Sequence, residues 1–304
     1  MHNKRDPQTA AEWVGKSERS NMFAIHFIVW VALTLGRRIA RLFLYPICLY
    51  FFLFAREARM ASKNYLRKVL GREPRIRDGL RHIHTFASTI LDRVFLLNGR
   101  FDKFDVHTHL DEAVLAMIAN KQGCILLGAH LGSFEIMRAY AHEIQGPPVS
   151  VVMYEENARK LNTVLLAINP DLAQEVIGLG KLDSMLKVEQ ALKRGEFIGM
   201  LADRGLEHGG ASVACDFLGE PAKFPAGPLR IANMLNSPVL LMAGLYRGGN
   251  RYDLYFERLV DMSTPEGMPR DEVLRQSMQR YVEGIERHCR NAPYNWFNFY
   301  DFWK

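Results

Sequence analysis

Along most of this chain, short apolar runs closed by glycine or proline take turns with stretches whose apolar residues recur every three or four positions. The first pattern predicts buried strands, the second helices with one apolar face. Cys124–Gly128, opened by Gly123, reads as a buried strand; Leu131–Tyr140, with Leu131, Phe134, Ile136, Met137 and Tyr140 apolar, reads as the helix after it. Further strands are predicted over Phe104–His109, Val149–Met153, Val176–Gly178, Glu196–Leu201, Pro238–Tyr246 and Arg251–Leu259. The last two are joined by a Gly248-Gly249-Asn250 hairpin turn, and Phe217–Pro221 reads as a strand end and turn. Helices are predicted over Pro74–Asn98, Leu110–Asn120, Tyr154–Ile168, Lys181–Arg194, Gly227–Asn236 and Met268–Arg290. One strand per helix, with no internal repeat or Ser/Gly linker, predicts an α/β fold whose central mixed sheet is flanked by helices.

The first seventy residues break this rhythm. Residues 1–21 form a polar lead-in without the order of a cleaved signal peptide. Residues 22–70 then hold two apolar runs, Met22–Gly36 and Leu42–Ala55, separated by Arg37, Arg38 and Arg41. Each run is shorter than the roughly 20 residues of a perpendicular span, and each arginine would cost at least about 2.5 kcal/mol in hydrocarbon. The expectation is therefore a membrane-anchoring region, either one stretched, tilted span or two interfacial helices, with the arginines snorkelling to headgroups. A pair of buried core helices is the alternative. The aromatics Phe23, Trp30, Tyr45, Tyr50 and Phe54 and the basic stretch Arg56, Arg59, Lys63, Arg67, Lys68 favour a membrane interface. Residues 71–304 would form one catalytic domain, ending in the densely aromatic tail Pro293–Trp303.

A net charge of +6 suits an anionic membrane surface, an acidic carrier protein or nucleic acid alike. With no basic patch interleaved with aromatics and no zinc-finger or RNA-binding signature, no nucleic-acid partner is expected. Cys48, Cys124, Cys215 and Cys289 are scattered without Cys-x-x-Cys spacing and read as free thiols facing the cytoplasm. His107 and His109 could share a strand face, but no third ligand stands near them, and no metal is expected.

The chemistry concentrates after the Cys124–Gly128 strand. His130 falls at a strand-to-helix junction, where α/β sheets place their ligands. A histidine at a helix mouth can fold back to a carboxylate five residues on, and Glu135 stands there. That pairing makes a general base and its orienting acid. The same spacing suits a helix-capping histidine and a glutamate on a solvated face. Two later strand ends reach the same edge, one followed by Arg159, the other by Asp203 and Arg204. Arg159 can grip a phosphate with two hydrogen bonds, or pair on the surface with Glu155 or Glu156. Ser133 lacks the Gly-x-Ser-x-Gly frame of a nucleophile elbow, so no acyl-enzyme is required.

The stretch His130-Leu-Gly-Ser-Phe-Glu135, preceded by Gly123-Cys-Ile-Leu-Leu-Gly-Ala129, resembles the His-x4-Glu segment of bacterial lipid A biosynthesis (late) acyltransferases within the lysophospholipid acyltransferase superfamily. Leu131, Ser133 and Phe134 stand where that segment typically has Phe, Asn and Trp, which resembles a side branch linked to aryl-polyene-type lipids. The resemblance implies a glycerol-phosphate acyltransferase-like sheet behind an N-terminal membrane anchor. It also implies O-acyl transfer from acyl carrier protein or acyl-CoA to a hydroxyl of a membrane lipid, such as a lipid A precursor or related glycolipid. A lysophospholipid or ornithine-lipid acyltransferase and a non-catalytic membrane scaffold are the alternatives. His130 and Glu135 would be catalytic, and Gly132, Ser133, Arg159, Asp203 and Arg204 would bind substrate, with backbone donors at the helix start or a basic side chain on the oxyanion. No cofactor is expected, and the implied location is the bacterial inner membrane, with the catalytic domain on its cytoplasmic face.

Overall fold

The computed structural model describes residues 7–154, 163, 165–166, 168–169, 176–179, 183–204, 210–260 and 270–304. Three helices lead: α1 (Pro7–Phe54), α2 (Arg56–Leu70) and α3 (Ile76–Leu97). Then come β1 (Asp105–Leu110), α4 (Glu112–Ala119), β2 (Cys124–Gly128), α5 (Phe134–Glu143), β3 (Val149–Tyr154) and β4 (Val176–Leu179). The second half holds α6 (Ser184–Lys193), β5 (Phe197–Leu201), β6 (Ser212–Phe217), β7 (Glu220–Pro225), α7 (Gly227–Met234), β8 (Val239–Gly248), β9 (Arg251–Val260) and α8 (Arg270–Asn291).

Seven strands form one mixed sheet in the order β1-β9-β8-β2-β5-β3-β4. Strands β8, β2, β5, β3 and β4 run parallel, β9 turns back antiparallel on β8, and β1 runs parallel to β9. Side chains alternate across the central strands as a pleat requires. Ile125 and Leu127 join α2, α7, α8 and the C-terminal tail on one face, while Cys124 and Leu126 join α1, α3, α4 and α5 on the other. Sequence patterning missed one element: Phe217–Pro221 is the centre of a complete hairpin, β6 paired with β7, turning on Leu218 and Gly219 with both φ positive.

The register of the central pair sets up everything that follows. Gly128 pairs with Leu201 across the parallel strands β2 and β5. Both chains leave the sheet there, and two residues further on stand His130 and Asp203.

The N-terminal region departs from expectation in its arginines. Helix α1 runs on through Pro46 and breaks only at Gly36, which has non-helical φ 81°. Arg37 does not snorkel outward: its guanidinium grips the buried Asp92 of α3 with two hydrogen bonds, at 2.7 and 2.8 Å, and also donates to the Gly249 carbonyl. Arg41 donates to Tyr246 Oη and to Gly249 O. The reason is that α1 lies along α3, and these cations meet a buried carboxylate and the carbonyl at the β8–β9 turn before they can meet solvent. Trp30, Leu42, Tyr50, Phe51 and Phe54 of α1 are exposed, and Tyr45, also exposed for the most part, lies against the His84 ring of α3. Among the described residues no single helix is long and apolar enough to cross a membrane; Val29–Phe54 and Arg56–Leu70, bent by 94°, meet that test only as a pair. All four cysteines are free and buried.

Candidate active site

Strand β2 ends at Gly128 and delivers His130 to the sheet edge, its side chain 29% exposed. The carboxylate that meets the ring is not Glu135. It is Asp203, brought up by β5, fully buried, with Oδ1 2.8 Å from Nδ1. A carboxylate only accepts, so Nδ1 carries the proton and donates it to Asp203, which leaves Nε2 as the acceptor nitrogen. Burial works to raise the pKa of Asp203. The facing imidazole, hydrogen bonds from its ring and from the His130 backbone, and one from Asn298 outweigh it and hold the carboxyl below its ordinary value. The pair is therefore a fixed tautomer with a locked anion behind it.

Glu135 lies in the first turn of α5 but points to α3, where Oε1 meets Arg93 Nε at 2.9 Å. Arg138, half-buried, feels the same carboxylate. Thus the expected His130–Glu135 pairing is replaced by two separate contacts, the His130–Asp203 hydrogen bond and the Arg93–Glu135 ion pair. The physical reason is direction: a residue two positions into a helix projects from the helix surface, here towards α3, whereas the strand end next door faces His130 directly.

Gly132 and Ser133 also have work other than the expected one. Gly132 has φ 72° and lies so close to Gly244 of β8 that a Cβ would sit 1.9 Å from the Gly244 carbonyl oxygen. That clash is why glycine stands at this place. Its N–H donates to Asn295 O, the N–H of Ser133 donates to Gly244 O, and the Ser133 hydroxyl caps α5 by accepting from Ile136 N. The N–H groups of Gly132 and Ser133, just ahead of α5, are therefore committed. Arg204 donates through Nε to Asn298 Oδ1 and through Nη2 to Phe297 O, with its plane over the Tyr300 ring. Arg159, the expected phosphate ligand, lies outside the described residues.

These groups surround a groove of about 440 Å³ lined by His130, Arg93, Glu135, Arg204, Phe86 and Phe299, among others. Sequence reasoning missed Arg93, although Phe86, Ile90 and Arg93 follow one another at helical spacing on α3 and face the groove together. It also missed the tail. Residues 295–298 run over the site: Phe297 N–H donates to His130 O, and Trp296 Nε1 and Asn298 Nδ2 donate to Asp203 Oδ2. The available signal was the two asparagines placed among aromatics. A polar side chain in such company is buried at a cost unless it is satisfied.

Chemically the groove offers an imidazole whose Nε2 can accept, backed by an anion, with two arginines in its wall and aromatic surface around them. Such a set suits proton removal from a hydroxyl next to an anionic or polarised carbonyl substrate. No group of three histidine, cysteine or carboxylate side chains able to hold a metal occurs among the described residues.

No curated protein matches the chain. The family model described as bacterial lipid A biosynthesis acyltransferase matches residues 16–304. That match takes in the strand, the junction histidine, both side-chain contacts and the tail, and it places this acyltransferase in the bacterial lipid A biosynthesis acyltransferase family.

Proposed function

We propose that this enzyme transfers a fatty acyl group from an acyl thioester, carried by acyl carrier protein or CoA, to a hydroxyl of a membrane lipid such as a lipid A precursor or related glycolipid. The observation that carries the reading is the His130–Asp203 pair at the sheet edge, its acceptor nitrogen beside an aromatic groove. His130 Nε2 takes the hydroxyl proton as the lipid oxygen attacks the thioester carbonyl. The tetrahedral intermediate collapses with cleavage of the carbon–sulfur bond, and the imidazolium returns the proton to the departing thiolate. An ester and a free thiol result. Asp203 balances the imidazolium charge. With the Gly132 and Ser133 N–H groups committed, the oxyanion falls to an arginine of the wall, Arg93 or Arg204. Phe86, Ile90, Leu201 and Phe299 supply apolar surface for the chain.

The exposed apolar residues of α1 and the 94° bend into basic α2 support attachment along an anionic membrane surface, on the cytoplasmic face of the bacterial inner membrane, rather than one straight span. The wording of the motif supports an acceptor on the aryl-polyene side of the family.

His130→Ala tests the reading. Transfer from a radiolabelled acyl carrier protein thioester to extracted membrane lipid should fall by about 10²–10⁴, with folding and membrane association kept. Wild-type transfer by the variant would overturn it. Lipidomics of cells with and without the enzyme would name the acceptor.

A further inference from the structure

The C-terminal tail does more than close the core. Asp203 Oδ2 accepts from three donors, His130 N at 3.0 Å, Trp296 Nε1 at 3.2 Å and Asn298 Nδ2 at 2.9 Å, while Oδ1 meets the imidazole. Two of those three come from the tail. Asn298 is itself almost fully buried. Its amide is satisfied at both ends by charged groups, donating to Asp203 and accepting from Arg204. Packing alone explains the aromatic rings, since Trp296 fits against Tyr65, Phe217 and Phe302. It does not explain why an indole N–H and a buried amide both end on one carboxylate oxygen.

We propose that Asn298 and Trp296 are positioning residues for acyl transfer. Together they pin Asp203 Oδ2 so that Oδ1 alone faces His130, and Asn298 ties that carboxylate to Arg204 in the groove wall. The inference rests on His130 acting as the base. Without the tail donors the carboxylate is free to turn about its bond and is a poorer-solvated anion, which binds the dyad's proton more tightly. The other titratable groups facing Asp203 are Tyr281 and Cys289 from α8, Tyr300 from the tail and the adjoining Arg204. The tyrosines and the cysteine are held neutral: Tyr300 is pushed up to about 12, first by burial and then by Asp203, and burial likewise raises Tyr281 and Cys289. The dyad's charge therefore answers to the tail donors.

The test uses the full chain in membranes, with Asn298→Leu, which keeps volume and removes the amide, and Trp296→Phe, which keeps an aromatic ring and removes the N–H. Each should lower kcat, Asn298→Leu by about tenfold or more, and move the acid limb of the rate profile to higher pH. Asn298→Leu should also raise KM, because Arg204 loses an acceptor, whereas Trp296→Phe should leave KM alone. In an Asp203→Asn background neither substitution should cost further rate. A second readout needs no substrate: acylation of His130 by diethyl pyrocarbonate, followed by peptide mass, should show the same upward move of its pH profile. Unchanged pH profiles in both variants, or an equal loss of rate with and without Asp203, would reduce the tail to packing and overturn the proposal. If Asn298→Leu loses its cooperative thermal transition, Trp296→Phe decides. If His130→Ala proves active, the base reading has failed, and the acylation profile still decides whether the tail sets the dyad.

Discussion

Two aromatic-bearing stretches of this acyltransferase end in opposite places. On α1, Trp30 is 58% and Phe54 71% exposed; in the tail, Trp296 is fully buried and Phe297 and Phe302 nearly so. What separates them is the partner available inside the chain. The tail lies over a cleft between α2, α3 and the sheet edge, where His82 Nε2 meets Trp296 O at 2.8 Å and Asp203 takes the indole N–H. Among its described side chains, helix α1 packs towards α3 and the β8–β9 turn through Val31, Ala32, Leu44 and the Arg37–Asp92 pair. The apolar residues left over face outward. The tail's aromatics thus pack beside the His130–Asp203 pair, and those of α1 form exposed apolar surface.

The comparison can be broken at its strongest point, where the tail meets the His130–Asp203 pair. Asp203→Asn should cost about 10³–10⁴ in kcat, because an amide can donate to Nδ1 and favour the wrong imidazole tautomer; steady-state rates with a thioester donor check it. Removing the tail's anchor comes next. Trp296→Ala should destabilise the fold by about 3–5 kcal/mol in denaturant melts, and activity should fall at temperatures where the protein is still folded. On α1, the inward face should be nearly as sensitive. Arg37→Met leaves Asp92 buried with Tyr252 Oη as its remaining hydrogen-bond donor, and breaking such a pair costs about 3–5 kcal/mol.

Acid should single out the tail. His82 is fully buried between Ser62 and the Trp296 carbonyl. Burial lowers its pKa to about 4, against a smaller upward pull from that carbonyl. The neutral ring is the folded form. Stability is therefore complete above the unfolded value of about 6.5 and is lost as pH falls from there towards 4. The span corresponds to about 3 kcal/mol. Melts at pH 7 and pH 4.5 should differ in the wild type and converge in His82→Gln, apart from the acid response of carboxylates. The smallest effect belongs to the outer face of α1. Leu42→Ser or Phe54→Ser should change stability by no more than about 0.5 kcal/mol, yet reduce cosedimentation with anionic vesicles. A large loss of stability instead would place those residues in a hidden core and erase the contrast.

The candidate site was legible in its parts and not in its wiring. Strand β2, the junction histidine and helix α5 stand where local pattern places them, since a short apolar run and a 3.6-residue period are written in neighbouring positions. Glu135 illustrates the limit. Five residues from His130, it was the natural carboxylate to choose, yet Arg93 on α3 takes it. The acid that meets the ring lies 73 residues away and arrives through the Gly128–Leu201 register.

By itself, then, the sequence determined the alternation of strands and helices, the histidine at a sheet edge and an N-terminal surplus of apolar residues, all consequences of short-range spacing and side-chain chemistry. Only the tertiary structure decided which carboxylate backs His130, that Arg37 and Arg41 turn inward, that glycine is required at position 132, and that residues 295–298 run over the His130–Asp203 pair. Those outcomes depend on which strand lies beside which and on where a buried charge finds its counterpart, and neither is encoded in any local stretch.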